Sequence, residues 1–215
     1  MTSYTFTTLH DPLAVGLNDT VPVGINAEGQ IIGWYQAGLD GPYYGFLYSG
    51  GSYTILNDPA NGGNNGSPLT LALGINDKGQ VVGEFQTTTP PSGDWGFLYS
   101  GGTYTTLYGP PGAINSNADG INDAGVIVGN YADSTNADHG FLYSNGSYTI
   151  LNDPLGVHGT GAFGINNKGQ VVGIYGPSDG LEHGFLYSNG KYTTIDDPLR
   201  KPSPKASTTK GRSSG

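Results

Sequence analysis

GINDKGQVVGEF at residues 74–85 decides the fold, because this segment returns almost unchanged three more times along the chain. Its copies are GINAEGQIIGWY at 24–35, GINDAGVIVGNY at 120–131 and GINNKGQVVGIY at 164–175. A second segment keeps the same spacing, as GFLYSGGSYTIL at 45–56, GFLYSGGTYTTL at 96–107, GFLYSNGSYTIL at 140–151 and GFLYSNGKYTTI at 184–195. Self-similarity with a period of about 20 to 50 residues is typical of solenoids and propellers.

Each segment predicts a β-hairpin with its own turn chemistry. In the first, a shared Asn-x-x-Gly joins two apolar strands; its asparagine can bond the turn backbone, and its glycine supplies the positive φ of a type I turn with a G1 bulge. These residues are Asn26 and Gly29, Asn76 and Gly79, Asn122 and Gly125, and Asn166 and Gly169. In the second segment, two-residue Gly-Gly or Asn-Gly loops predict type I′ turns. Two hairpins give each repeat four strands.

Four strands per repeat match the blade of a β-propeller. Val81-Val82-Gly83 and its equivalents predict a strand that is covered on both faces, where small and β-branched residues let neighbouring blades approach. Alternation along Phe46, Leu47 and Tyr48 places the two aromatic rings on one face, and we expect these rings to pack between blades. The sequence therefore predicts an all-β fold, a small propeller of four blades with four antiparallel strands each.

The repeats assign residues 1–199 to a single propeller domain. Its repeats span about 24–59, 74–110, 120–154 and 164–198. Residues 4–9 are a fifth copy of the fourth strand, and because an N-terminal strand can remove a sheet edge, we expect this strand to take part in ring closure. The last strand of the chain fills the same place, so the surplus strand has an alternative role in joining two molecules. A monomer is favoured over that dimer.

Charge is distributed unevenly over the chain. All seventeen acidic residues lie at or before Asp197, together with only three lysines, so this body carries a net charge of −14. The other five basic residues lie in residues 200–215, which contain no bulky apolar side chain and are predicted to be disordered. An acidic body without arginine binds phosphate backbones poorly, which argues against a nucleic-acid partner.

Nothing in the sequence predicts a membrane span or an export signal. The chain has no run of about 18 apolar residues, and its N-terminal Met-Thr-Ser-Tyr-Thr-Phe leads directly into a strand-like pattern. With no cysteine, the chain cannot form disulfides or thiolate metal sites. The cellular compartment therefore stays open.

The GINxxGQVVGxY and HGFLYSxGxYTTLDDP units resemble the HAF repeats of bacterial proteins, from about Tyr4 to Pro198. His139 and His183 stand in the place of the histidine in the eponymous His-Ala-Phe, whereas Tyr44 and Trp95 occupy it in the other two repeats. The resemblance implies an extracellular setting. It brings no established catalytic residues.

Residues shared by all four repeats are explained by folding before function. A ring of the four turn asparagines could hold an ion or polar ligand, but turn formation already accounts for them. Asp11, Asp58, Asp153 and Asp197, each followed by proline, look like turn initiators. No D-x-[DN]-x-[DN]-G run is present, so no calcium loop is predicted, and the sequence indicates no metal and no cofactor.

The four histidines, at positions 10, 139, 158 and 183, have no nucleophilic partner at a recognised spacing. His139 follows Asp138 and His183 follows Glu182, but adjacent strand residues point to opposite faces, which argues against direct pairing. The favoured interpretation is a blade-packing position that accepts Tyr, Trp or His.

Binding is predicted in the loops that differ between repeats, since binding residues tend to lie on loops held by a rigid scaffold. One set joins strands two and three, at 36–43, 86–94, 132–138 and 176–182; the other joins repeats, at 13–23, 60–73, 111–119 and 155–163. Aromatic rings there could stack on sugar C–H groups while polar side chains bind hydroxyls. The predicted ligand-binding residues are Trp34, Tyr43, Tyr44, Trp95, Tyr131, His139 and His183.

Three functions remain open at this stage. The favoured one is a non-catalytic module that binds a neutral glycan or another cell-surface ligand. The second is a propeller for protein interaction or structural support. The third is a lyase or hydrolase that uses histidine and carboxylate groups in a central cleft, and it requires those groups to converge in one pocket.

Overall fold

The computed structural model describes Leu9 and residues 20–38, 41–57, 69–178 and 180–196. They form four antiparallel sheets of four strands, which we call blades 1 to 4, and in each sheet the strands follow chain order. Blade 1 contains β1 Val21–Ile25, β2 Ile31–Gln36, β3 Tyr43–Ser49 and β4 Ser52–Leu56, and blade 2 contains β5 Thr70–Ile75, β6 Val81–Thr87, β7 Gly93–Ser100 and β8 Thr103–Leu107. Blade 3 contains β9 Ala113–Ile121, β10 Ile127–Asp133, β11 Asp138–Ser144 and β12 Ser147–Leu151, and blade 4 contains β13 Thr160–Ile165, β14 Val171–Tyr175, β15 His183–Ser188 and β16 Lys191–Ile195. The predicted all-β propeller of four four-stranded blades is confirmed.

Both predicted hairpin turns are present in every blade. The glycine that ends each Asn-x-x-Gly turn has a φ between 72° and 78°, as the G1 bulge requires. In the second hairpin both loop residues have positive φ; Asn145 and Asn189 adopt 51°, and the glycines that follow them adopt 79° and 78°. These are type I′ turns, whose twist matches that of the flanking strands.

Neighbouring blades pack through one repeated contact. Between blades 1 and 2, Ile32 and Leu56 of blade 1 meet Phe97, Ala72 and other apolar residues of blade 2. The same residue types recur between blades 2 and 3 and between blades 3 and 4. Blades 1 to 3 therefore each present a Val/Ile/Leu face to the next blade, and blades 2 to 4 an aromatic face to the previous one. Phe97, Phe141 and Phe185 pack between blades as expected, whereas Phe46 and Tyr48 contact residues of their own blade.

The glycine in the middle of each second strand has a different role from the one predicted. A Cβ at Gly83 would lie 1.9 Å from the Leu71 carbonyl oxygen and 2.9 Å from the Phe97 ring, both in the same blade. The other three blades show the same arrangement. This glycine thus admits a phenylalanine of its own blade rather than the neighbouring blade, while the two residues before it, Val81 and Val82, are buried on opposite faces.

The turn asparagines connect the blades as well as shaping the turns. The Asn76 Oδ1 accepts hydrogen bonds from the Lys78 and Gln80 amides, and its Nδ2 donates to Gln80 Oε1 at 2.8 Å. The same Nδ2 donates to the Asn122 carbonyl oxygen of the next blade at 3.0 Å. Equivalent bonds run from Asn26 to Asn76 and from Asn122 to Asn166. The sequence predicted the turn role; the bridge between blades is an additional finding, which we call the asparagine ladder.

A second set of hydrogen bonds runs beside the ladder. The residue after each turn asparagine donates its backbone N–H to the side chain at the same position in the next blade. The pairs are Ala27 to Asp77 at 2.8 Å, Asp77 to Asp123 at 2.8 Å and Asp123 to Asn167 at 2.9 Å. Neighbouring blades are therefore fixed to one another by polar contacts at these turns and by apolar contacts along the sheets.

Several sequence predictions concern residues that the structure does not describe. Apart from Leu9, the surplus strand 4–9 and its role in ring closure lie outside the described residues, as do the basic segment 200–215 and three of the four predicted Asp-Pro turns. The fourth is described: Asp153 Oδ1 accepts a hydrogen bond from the Leu155 amide at 2.9 Å, as expected of a turn initiator. No helix within the described ranges is long and apolar enough to cross a membrane.

We expect substitution of a ladder asparagine to cost more stability inside the array than at its end. Asn76→Ala removes the turn bonds and the bridge to blade 3, and should lower the free energy of unfolding by about 2–3 kcal/mol. Asn166→Ala is the matched control, because Asn166 makes the same bonds to a lysine amide and a glutamine but, among the described residues, no bridge to another blade. It should cost about 1 kcal/mol. Urea denaturation of both variants measures the difference, and equal losses would contradict a stabilising role for the bridge.

Candidate functional site

The first strand of every blade contains a β-bulge. The blades differ most in the chemical character of the side chain at this bulge. The strand register shifts one residue before the shared Gly-Ile-Asn, and the extra residues are Val23, Leu73, Asp119 and Phe163. A bulge leaves one residue unpaired and re-aims its side chain, so the same backbone feature presents four different groups. Phe163 and Val23 are each 45% exposed although both are apolar.

A cavity of about 430 Å³ lies between blades 3 and 4, next to the Phe163 bulge. We call it the blade 3–4 pocket. Its lining includes Asn130 and Asp138 from blade 3, and His158, Thr160, Phe163, Ile174, Tyr175 and Glu182 from blade 4 and the segments that flank its strands. Residues from three of the variable loops, 132–138, 155–163 and 176–182, thus contribute to one cavity.

A glycine creates part of this space. Gly161 lines the pocket at a position where the other blades carry Val21, Leu71 and Asn117. A Cβ at Gly161 would lie 3.1 Å from the Phe163 ring and 3.3 Å from Asn130 Oδ1. A side chain there would press against both, so the missing side chain keeps the ring accessible.

Two polar side chains of the pocket are available to a ligand. Among the described residues, no group hydrogen-bonds to the Asp138 carboxylate or to the His158 imidazole, and both residues are exposed. By contrast, Thr160 Oγ1 accepts a hydrogen bond from the Asp153 amide at 2.9 Å, so this hydroxyl already has a partner within the protein. The pocket therefore combines an accessible aromatic ring with one imidazole and two acidic side chains, Asp138 and Glu182.

Asn130 connects the pocket to a carboxyl group in blade 3. Its Oδ1 accepts a hydrogen bond from the Ala162 amide of blade 4 at 2.6 Å, and its Nδ2 donates to Asp119 Oδ2 at 2.8 Å. Asn117 Nδ2 also donates to both Asp119 oxygens, at 3.0 and 2.9 Å. The Asn130 amide is thus held in one orientation, with both of its ends in use.

Burial, with a further contribution from the nearby Glu84 carboxylate, raises the pKa of Asp119 from its ordinary value of 3.8 to about 7, although the hydrogen bonds from Asn117 and Asn130 act in the opposite direction. Burial likewise raises the pKa of Glu84, with a further contribution from Asp94. The Glu84 carboxylate of blade 2 thus disfavours ionisation of Asp119 in the adjacent blade 3.

The seven residues predicted to bind ligand lie near the ends of the second and third strands, but they are spread over all four blades. Trp34 contacts Tyr43 edge-on, with ring centroids 5.7 Å apart, and Tyr44 lies against Tyr35 at the same separation. In blades 3 and 4, the two histidines stack on Tyr131 and Tyr175 at 4.9 and 5.4 Å. Each blade therefore carries its own aromatic pair, and none of the seven lines the blade 3–4 pocket.

Two of these residues are largely inaccessible to solvent. Trp95 and Tyr131 are buried in the contacts between blades, with exposed fractions of 4% and 6%. Trp95 Nε1 donates to the Pro91 carbonyl oxygen at 2.7 Å, and its ring meets Tyr108 edge-on. These two side chains pack between blades, where the neighbouring blade covers them, and their ligand-binding role stays a prediction.

The histidines find carboxylate partners that sequence spacing did not indicate. His139 Nε2 lies 3.1 Å from Asp133 Oδ2 and its Nδ1 lies 2.9 Å from Asn152 Oδ1, while His183 Nδ1 lies 2.8 Å from Asp196 Oδ2. The adjacent acids are not the partners, in agreement with the strand argument. Hydrogen bonds, first from the Thr135 hydroxyl and also from the Ala137 amide and His139, hold the pKa of Asp133 well below its usual range.

In the described ranges, no group of three or more His, Asp or Glu side chains lies close enough to hold a metal ion. Phe163, Asp138 and His158 lie in the variable loops predicted to bind ligand, but they are not among the seven residues named as ligand-binding. A usable signal for Phe163 exists, namely that the position before Gly-Ile-Asn differs in every repeat.

Comparison with known proteins identifies the fold alone. No family model matches the chain, and no curated protein matches its sequence. The β-propeller domain of the trilobed protease from Pyrococcus furiosus, described as having an open velcro topology, superposes with a TM-score of 0.53 and 9% identity. The alignment covers 84% of this chain and 52% of that one, so the chain spans about half of the protease domain.

Two further solved structures are similar at lower scores. The six-bladed fucose-recognising lectin of Aleuria aurantia has a TM-score of 0.46 and 13% identity, over 86% of this chain and 63% of the lectin. Trypanosoma rangeli sialidase has a TM-score of 0.47 and 11% identity, over 81% of this chain and 37% of the sialidase. The chain is therefore a four-bladed β-propeller that covers less than two thirds of each of these proteins.

The raised pKa of Asp119 gives folding a pH dependence of known sign. Between pH about 4 and about 7 the folded state keeps a proton that the unfolded state has lost, so rising pH lowers the free energy of unfolding through this window. Asp119→Asn should flatten that slope, gaining about 2 kcal/mol relative to wild type between pH 4 and pH 8, after allowance for partial exposure. Urea denaturation across this range measures the slopes. Parallel slopes would contradict the raised pKa.

Proposed function

We propose that the protein binds a neutral, hydroxyl-rich ligand such as a saccharide in the blade 3–4 pocket. The observation that carries the proposal is the half-exposed Phe163 ring, which faces a pocket that also contains the uncommitted Asp138 and His158 side chains. An aromatic face packs on the C–H groups of a sugar ring, while carboxylate and imidazole groups bind its hydroxyls. A pocket of this volume suits a small ligand of one or two sugar units.

The charge of the pocket restricts the ligand further. Asp138 and Glu182 line it, and none of the described lining residues is a lysine or an arginine. Because a carboxylate in the ligand would lie close to these two carboxylates, we expect uronic and sialic acids to bind less well than neutral sugars. Neutral sugars meet no such barrier.

Phe163→Ala tests the proposal directly. The substitution should weaken sugar binding about fivefold to tenfold, because it removes the stacking surface, and it should change stability little, because the ring is half exposed. Val23→Ala is the matched control, since Val23 is the bulge residue of blade 1 and has the same 45% exposure. Binding is measured by saturation-transfer NMR and calorimetry over a panel of neutral and acidic saccharides.

Three results would count against a saccharide site in this pocket. They are a panel without any binder, a preference for acidic sugars, and an equal loss of affinity in the Phe163 and Val23 variants.

Hydrolysis of a bound saccharide is the second candidate, favoured by one observation. His158, Asp138 and Glu182 line the same pocket, and acid–base chemistry needs groups of these kinds near one bound ligand. NMR detection of released product from any bound oligosaccharide would support it. His158→Gln should then abolish product release and leave binding measurable. A ligand that binds but is not hydrolysed would indicate that the pocket only binds saccharide.

A further inference from the structure

Blade 4 exposes a face that the other three blades bury. Ile32, Val82 and Val128 occupy the second position of their second strands and are completely buried, whereas Val172 at the same position is 47% exposed. The last residue of the fourth strand repeats the pattern: the leucines of blades 1 to 3 are buried, and Ile195 is 53% exposed. In blades 1 to 3 these residues form the contact with the next blade.

The polar contacts between blades also end at blade 4. Asn166 Nδ2 donates to Gln170 Oε1 of its own turn at 2.8 Å, but makes no bond to another blade among the described residues. Its counterparts Asn26, Asn76 and Asn122 are buried, and Asn166 is exposed. Asn167 likewise accepts a bond from blade 3 at 2.9 Å, while its own N–H finds no acceptor among the described residues, unlike the equivalent amides of the other blades.

The three existing contacts define what fits this surface. Each partner blade presents a carbonyl to the ladder asparagine and an Asp or Asn side chain to the following amide. Each also presents the aromatic face, with a phenylalanine from its third strand at the centre of the contact. These requirements describe a blade of the same repeat type.

Blade 1 of the same chain does not meet them. It carries Ala27 where the accepting Asp or Asn is needed. Its aromatic face is also unavailable, because Tyr35 and Phe46 are already buried. The same two features argue against blade 1 of a second copy, and the aromatic faces of blades 2 to 4 are covered within the chain.

We propose that the outward face of blade 4, formed around Asn166, Val172 and Ile195, is a docking surface for a further blade of this repeat type. The partner blade carries Asp or Asn after its turn asparagine and an accessible aromatic face. It buries Val172 and Ile195 and extends the asparagine ladder by one step.

An extended chain tests the proposal. Asp197-Pro198-Leu199 matches Asp153-Pro154-Leu155, so a second copy of residues 156–199 inserted after Leu199 reproduces the native connection between blades. The added blade supplies both the Asn and the aromatic face. We expect the extended chain to melt several degrees higher than the native chain, and hydrogen exchange of residues 166–173 to slow.

A conservative substitution at Val172 tests whether the outward face of blade 4 is buried as an interface in the extended chain. Val172→Thr should change the Tm of the native chain by less than about 1 °C, because Val172 is half exposed, and lower that of the extended chain by about 3 °C. Val128→Thr is the matched control, because Val128 is buried between blades 3 and 4 in both chains and should lower both Tm values.

Two outcomes would overturn the proposal. One is an extended chain with an unchanged or lower Tm in which Val172→Thr is as mild as in the native chain. The other is a native chain that sedimentation shows to be a dimer and that Val172→Asp converts to a monomer, because the face is then occupied by a second copy in place of a further blade.

Discussion

The rest of the structure depends on one constraint, the hydrogen bond by which the turn asparagines of blades 1 to 3 bind the next blade. One amide holds its own turn through Oδ1 and the next blade through Nδ2, as Asn76 does with Gln80 and Asn122. Because the donor and the acceptor carbonyl lie at the same position of successive repeats, the bond fixes the register between blades. Side chains at any other repeat position then meet at equivalent places, which is why one apolar contact recurs between all four blades.

Because equivalent positions meet in this register, a single-residue difference between repeats changes the functional groups at one place in the fold. The β-bulge lies directly upstream of the turn asparagine, and it presents a carboxyl in blade 3 and a phenyl ring in blade 4 on the same backbone. Asn130, one strand away, joins the two by binding Asp119 and the Ala162 amide. The pocket is therefore built from residues that differ between repeats, at positions that the shared turns bring together.

Sequence reasoning was sufficient where the decisive interactions are local. Turn types, strand number and the two faces of Phe46 and Leu47 follow from spacings of a few residues. The pocket depends on a missing side chain at Gly161 and on contacts between residues in different repeats, which no local pattern encodes. The partners of His139 and His183 were missed for the same reason: Asn152 and Asp196 are each thirteen residues away and approach only when the fourth strand pairs with the third.

Residues that all repeats share differ in exposure where no neighbouring blade covers them. Val82 and Val172 occupy equivalent positions in nearly identical segments, yet one is buried and the other is half exposed. Their sequence context cannot account for this difference, since VVGEF and VVGIY predict the same strand. An apolar residue at one of these positions is therefore buried only where a neighbouring blade covers it. Such a residue favours contact with a further blade as well as packing within its own. Asn166, which keeps its turn bonds and makes no bridge, shows that the same holds for the polar contacts.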